Sequence, residues 1–132
     1  MTIALDTNIV IKYLRNEENV VHNFRKTVMA NQRIIVPQVV DYEMRRGFRL
    51  ISATRKKANY DILLRNCVVT EMDAPTWKRA EIIYEGLYHK GFTVGELDML
   101  IAAYCITHEC TLVTNNTKDF ENINELTVVD WT

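Results

Sequence analysis

The stretch Ile3-Ala4-Leu5-Asp6-Thr7-Asn8 decides the fold. Its three apolar residues are too few for a helix and run straight into three polar ones, so they read as a short buried strand ending in a turn. The chain beyond alternates in the same way. An apolar stretch from Ile9 to Leu14 follows, and Val20, Phe24 and Val28 fall at i, i+4, i+8, a helical stripe. Ile34-Ile35-Val36, closed by Pro37, is a second strand. Val40, Met44, Phe48 and Ile51 then mark one helix, and Tyr60, Leu63 and Leu64 another. Val68-Val69 is a third strand. Trp77, Ala80, Tyr84, Leu87 and Tyr88 predict an amphipathic helix ended by Gly91. Met99 to Ile106 is apolar nearly all round, which predicts a central buried helix. Thr111-Leu112-Val113 and Thr127-Val128-Val129 are the last strands. Strands alternating with helices predict an α/β domain, residues 1–132, built of βαβ units around a parallel sheet with helices on both faces.

Composition narrows the function classes. The 132 residues carry 16 Lys+Arg against 17 Asp+Glu, a net charge of −1, and a chain this size should bury roughly 70% of its unfolded surface. Apolar residues at 48% and charged residues at 25% are ordinary globular usage. No apolar run approaches the ~18 residues of a membrane span, and the N-terminus has no basic region and reaches Asp6 at once, unlike a signal peptide. Cys67, Cys105 and Cys110 form no C-x-x-C pair, and His22, His89 and His108 are scattered, so neither a disulfide framework nor a zinc site is expected. A reduced, cytoplasmic protein without membrane contact is the expectation. Gly47, Gly86, Gly91 and Gly95 make neither a dinucleotide fingerprint nor a P-loop, and no nucleophile elbow is present. Catalysis, if any, falls to carboxylates.

In an open parallel sheet, ligands bind beyond the carboxyl ends of the strands. Asp6 follows the first strand there, and Asn116 and Asp119 follow Thr111–Val113. Glu43 lies early in the helix after the second strand, with Gly47 one turn later leaving space beside it. Glu96 and Asp98 open the apolar helix, where the macrodipole tolerates a carboxylate. Acids gathered at one rim repel and raise each other's pKa unless cations fill the site, and oxygen-only donors suit Mg²⁺ or Mn²⁺. Taken singly, Asp6 and Asp98 read equally as helix caps and Glu43 as a solvated residue; their convergence carries the functional reading. Asp41 competes with Glu43, but i and i+2 do not share a helix face, and Glu43 has the glycine. Glu96 is either a further metal ligand or polar rim. Between Met44 and Tyr60, Arg45, Arg46, Arg49, Arg55, Lys56 and Lys57 occur with no acid among them, a surface for RNA or else a solvated face.

Leu5-Asp6-Thr7-Asn8, Glu43-x-x-x-Gly47, Asp98-x-x-Ile101-Ala102-Ala103 and Leu112-Val113-Thr114-x-Asn116-x-x-Asp119-Phe120 together resemble the PIN-domain ribonucleases. The nearest likeness is to the VapC-like toxins of bacterial toxin–antitoxin pairs, from Ile3 to Trp131. The resemblance implies a three-layer α/β/α sandwich with a central parallel β-sheet. It implies that Asp6, Glu43, Asp98 and Asp119 are catalytic and bind Mg²⁺ or Mn²⁺, supported by Asn8, Thr114 and Asn116. It further implies RNA hydrolysis by water, leaving 5′-phosphate and 3′-hydroxyl ends, an antitoxin segment in a groove near the site, and a homodimer. Val36–Tyr42 departs from the family pattern, and Tyr13, Tyr42, Tyr60 and Phe48 are free either to line a groove or to pack inside. A catalytically inactive RNA-binding relative is opposed by the retention of all four acids. A phosphoacceptor receiver domain lacks its constellation: one acid follows the first strand, and Glu71 and Asp73 after the third have no partners. An Asp-x-Asp phosphatase is excluded by Asn8.

Overall fold

Parallel strands covered on both faces must be apolar throughout, and Ile3–Leu5, Ile34–Val36 and Leu112–Val113 are buried along their whole length. The computed structural model describes residues 1–132. Its strands are β1 (Thr2–Leu5), β2 (Arg33–Pro37), β3 (Val68–Thr70), β4 (Cys110–Val113) and β5 (Thr127–Val129). They form one sheet in the order β3-β2-β1-β4-β5, every pair parallel. The helices are α1 (Thr7–Leu14), α2 (Glu18–Met29), α3 (Gln38–Leu50), α4 (Thr54–Leu64), α5 (Ala74–Lys90), α6 (Glu96–Thr107) and the single turn α7 (Thr117–Phe120). Crossovers β1→β2→β3 run one way along the sheet and β3→β4→β5 the other. Right-handed connections therefore put α1–α4 on one face and α5–α7 on the opposite one, giving the three layers. The order reverses between β1 and β4, which opens a crevice at their carboxyl ends.

The apolar helix behaves as its composition requires: Met99 to Cys105 of α6 are all buried. Helix α5 differs from expectation. Trp77, Tyr84 and Tyr88 are 48, 56 and 70% exposed, and the buried positions are Thr76, Ala80 and Leu87. The reason lies in layer order. Because α6 is apolar all round, α5 docks on it, and small side chains let the two helices close: Ala80 packs with Leu100 and Ala103. Asp73, which the receiver alternative needed as a phosphoacceptor, instead caps α5, accepting from Thr76 N at 3.2 Å. It also meets His108 Nε2 at 2.8 Å, joining the start of α5 to the end of α6. Gly91, at φ 76°, supplies the left-handed residue that stops α5. No helix is long and apolar enough to cross a membrane.

Helices α3 and α4 are held together by a polar network. Tyr60, with no exposed surface, donates from its hydroxyl to Asp41 Oδ1 at 2.7 Å. Asp41 also accepts from Arg45 Nε at 3.1 Å, and Arg45 reaches Asp61 at 3.4 Å. The Arg45 guanidinium lies 5.4 Å from the Tyr60 ring centroid. Burial, reinforced by the bond to Asp41, pushes the Tyr60 hydroxyl far above its ordinary pKa, so it stays a donor. Asp41 is thus a structural acid, which leaves Glu43 free. Tyr60→Phe should lower the free energy of unfolding by about 1–2 kcal/mol, because it removes a donor from a mostly buried carboxylate. Urea denaturation checks this; an unchanged midpoint would show that the network does not hold α3 to α4.

Candidate active site

Asp6 is the first residue past β1 and continues its ladder, its N–H donating to Val113 O at 3.0 Å. Its extended backbone makes it the N-cap of α1, with Oδ1 accepting from Thr7 N at 2.8 Å. The other oxygen, Oδ2, accepts from Thr114 Oγ1 at 2.6 Å. Thr114 Oγ1 in turn accepts the Asn116 N–H at 3.0 Å, which fixes the direction of its own proton toward Asp6. Asp6 is 3% exposed and Thr114 0%. Burial pushes the Asp6 carboxyl up; the bonds from Thr114 and Thr7 oppose this, and the charges of Glu43 and Asp119 add to it.

Glu43, one turn into α3, accepts from Thr7 Oγ1 at 2.8 Å through Oε1. Asp98, in the first turn of α6, is half-buried, and burial together with the charges of Asp6, Asp119 and Glu43 pushes its carboxyl up to about 6. Asp6, Glu43 and Asp98 line one open cavity of about 420 Å³, with Thr7, Asn8 and Gly47. An added Cβ at Gly47 would meet nothing within 4 Å, so the glycine leaves this part of the cavity open. Asp119 is exposed in α7, at the rim, yet its charge acts on both Asp6 and Asp98. Glu96, open in sequence between metal ligand and polar rim, does not line the acid cavity. Two residues before Asp98, it points about 200° round the helix and lines a separate hollow with Trp77, Tyr84 and Met99, apart from the other acids.

The donor set is entirely oxygen, carboxylates with neighbouring hydroxyl and amide groups, and suits a hard divalent cation. No three His, Cys, Asp or Glu side chains gather into an all-protein cage. The cavity is open, which leaves room for water to complete the shell of a Mg²⁺ or Mn²⁺ ion held by these carboxylates. Each acid's upward pKa pressure on its neighbours is relieved by such an ion.

The members of the basic run have different surroundings. Of its members only Lys56 lines the acid cavity, joined there by Arg15 of the α1 C-cap. Arg45 is occupied by Asp41 and Asp61, and Arg46 lies 5.0 Å from the Tyr42 ring centroid. Arg49 and Lys57 line a neighbouring hollow. Among the aromatics, Phe48 lines the acid cavity, Tyr60 packs inside, Tyr13 packs tilted against Phe24 with ring centroids 4.7 Å apart and Tyr42 is exposed. Thr7 enters the site without a local signal. Its hydroxyl meets a carboxylate 36 residues away, a pairing only the fold creates.

Thr114→Val keeps the shape of the side chain but strips Asp6 Oδ2 of its donor, and should cost about 1–3 kcal/mol of stability. This bond favours the charged carboxyl, so the deficit is full above the Asp6 pKa and shrinks as acid protonates the group. The same change in an Asp6→Asn background should cost clearly less. Equal costs in the two backgrounds, measured by urea denaturation, would disprove the coupling.

The PIN-domain sequence profile matches residues 3–126. Ribonuclease VapC2 of Rickettsia felis is 31% identical over 136 residues, covering 99% of this chain and 98% of that protein. The tRNA(fMet)-specific endonuclease VapC of Shigella flexneri is 28% identical over 133 residues, covering 99% and 98%. Among solved structures, VapBC2 of Rickettsia felis bound to a DNA fragment from its promoter aligns over 100% of both chains with a TM-score of 0.94 at 26% identity. DNA-bound VapBC from Salmonella typhimurium gives 0.90 at 25% identity, covering 100% and 99%. A profile that spans nearly the whole chain and a full-length relative above 30% identity agree with the parallel α/β/α fold: the chain belongs to the PIN-domain family.

Proposed function

We propose that this protein is a divalent-metal-dependent endoribonuclease, one nuclease domain over residues 1–132, acting in the cytoplasm as the toxin of a toxin–antitoxin pair. The observation that carries the reading is the buried Asp6, pinned by Thr114 and Thr7, sharing one open cavity with Glu43 and Asp98. The full-length relatives named ribonuclease VapC and the likeness to VapBC complexes support it.

Asp6, Glu43, Asp98 and the rim acid Asp119 would hold Mg²⁺ or Mn²⁺. Such an ion, when bound, supplies Lewis acidity: it neutralises charge on phosphoryl oxygens and acidifies water. The chain does the rest. Thr114 and Asn116 fix Asp6, and Thr7 holds Glu43 against the same cavity. Asn8 offers an amide to the cavity, and Lys56 and Arg15 offer positive charge at its lip to an incoming phosphate. Water attacks the phosphorus and the ribose 3′-oxygen leaves with a proton, so the products carry 5′-phosphate and 3′-hydroxyl ends and no carboxylate forms a covalent bond. The apolar wall beside the acids, from Ile11 and Leu14 to Met44 and Ile51, suits an antitoxin segment, and the exposed aromatics of α5 suit a homodimer.

Two outcomes test the site. Asp6→Asn should abolish metal-dependent RNA cleavage while the fold persists and metal-free stability stays equal or rises, since acid–acid repulsion falls. Full activity with unchanged metal dependence would sink the assignment. Asp98 titrates near 6 against an ordinary 3.8, so the folded state holds its proton more tightly. Its contribution to stability therefore falls as pH rises from about 4 to about 6. In chelator, Asp98→Asn should then be the more stable form at neutral pH, with the advantage gone near pH 4. Mn²⁺ at a hundred times its Kd should stabilise the wild type by about 2.7 kcal/mol and the variant far less. Thermal melts with and without Mn²⁺ read both effects; equal metal shifts would remove Asp98 from the ligand set.

A further inference from the structure

The elbow between α3 and α4, where Ser52 takes a left-handed φ of 46°, separates two hollows. One is the acid cavity. The other, of about 410 Å³, is lined by Arg45, Arg49 and Lys57 with Phe48, Ser52 and Thr54. Phe48 is a wall of both, so the hollows adjoin. No carboxylate lines the second hollow. Arg45 is neutralised by Asp41 and Asp61, whereas Arg49 and Lys57 are exposed and form no ion pair. The concavity therefore holds two uncompensated cations, one a planar fork suited to phosphate oxygens and one a mobile point charge. Concave walls lined by one sign of charge focus its field.

A polyanionic substrate meets a difficulty at the acid cavity: the carboxylates repel it, and only Lys56 and Arg15 line that cavity as cations. Its grip has to come from beside the site. We infer that Arg49 and Lys57 form an anchoring site for a second, non-scissile backbone phosphate of the RNA, reached as the strand passes over Phe48. This rests on the ribonuclease reading and divides the basic run by role. Lys56 faces the reacting phosphate, Arg49 and Lys57 hold a neighbouring one, and Arg45 braces α3 against α4. An acidic protein segment is the competing occupant; the shared Phe48 wall and the need to hold RNA against the acids favour phosphate.

The test uses the full chain in chelator, where nothing is cleaved, with an unstructured single-stranded RNA titrated at several salt concentrations. Each neutralised single-strand phosphate contributes about −0.7 to the log–log salt slope. Arg49→Gln with Lys57→Gln should weaken binding and make the slope shallower by about 0.7, one phosphate's worth. Arg49→Lys, which keeps the charge but loses the fork, should keep the slope and bind more weakly. Arg25→Gln with Lys26→Gln, the same charge removed from the exposed face of α2, should leave the slope unchanged. An unchanged slope in the first variant, with RNA still bound, overturns the anchor and leaves the nuclease reading standing. An equal change in the α2 variant overturns it too, by reducing the effect to general charge. Loss of polyglutamate binding with RNA binding intact assigns the hollow to an acidic protein segment instead. A wild type that neither binds RNA in chelator nor cleaves it with metal removes both readings together.

Discussion

The structure depends on one reversal of strand order. Because the chain leaves β1 toward β2 and returns to β1 only at β4, helices on opposite faces of the sheet part at the β1–β4 boundary, and no element covers the carboxyl ends there. Asp6 sits in that gap, almost without exposure. An effective penalty of several kcal/mol attends burial of such a carboxylate, and hydrogen bonds to a charged group return about 1.5–3 kcal/mol each. Thr7 N and Thr114 Oγ1 provide two. The second of these bonds also ties the ends of the two central strands, so the group that makes the site costly belongs to the framework that supports it.

Around this point the protein spends stability on an acid cluster and recovers it at a distance. Burial raises the pKa of both Asp6 and Asp98, Glu43 and Asp119 add to both, and the charge of Asp6 adds to that of Asp98, so the metal-free cavity is electrostatically strained. Helix α3 carries Glu43 into that strain and is braced on another side. Asp41, two residues earlier, takes Tyr60 and Arg45, and Phe48 lies 5.7 Å from the Tyr60 ring. One acid of the pair is used to fix the helix, and the other is thereby presented to the cavity. Adjacent charges on one helix divide structural and chemical roles by pointing in different directions.

The inner strands β1, β2 and β4 were legible in the sequence because two-sided burial writes parallel strands as unbroken apolar runs, and α6 was legible for the same reason. The position of Asp6 followed from a strand end, that of Glu43 from its place after the second strand and the glycine beside it, and that of Asp98 from the start of the apolar helix. What resisted were properties that arise between elements. The outward turn of Trp77, Tyr84 and Tyr88 follows from α5 docking on a helix already apolar all round, with Ala80 rather than the aromatics at the contact. Glu96 shared a turn with Asp98 in sequence but not a direction in space. Thr7 had no signal beyond being a cap neighbour, and the cations between Met44 and Tyr60 looked alike until the fold set Lys56 at the acid cavity and Arg45, Arg49 and Lys57 around a second hollow.

The bond between Thr114 and Asp6 joins residues 108 positions apart, and β1 finds its β4 partner only beyond Cys110. During synthesis, at about 5–20 residues per second, Asp6 emerges 108 positions ahead of its hydroxyl donor. Until then β1 has only β2 beside it, and the crevice lacks one wall. Any nascent or truncated product ending before Thr114 therefore contains Asp6, Glu43 and Asp98 without the framework that orients them. The orientation of Asp6 arrives only with β4, a timing set by topology alone.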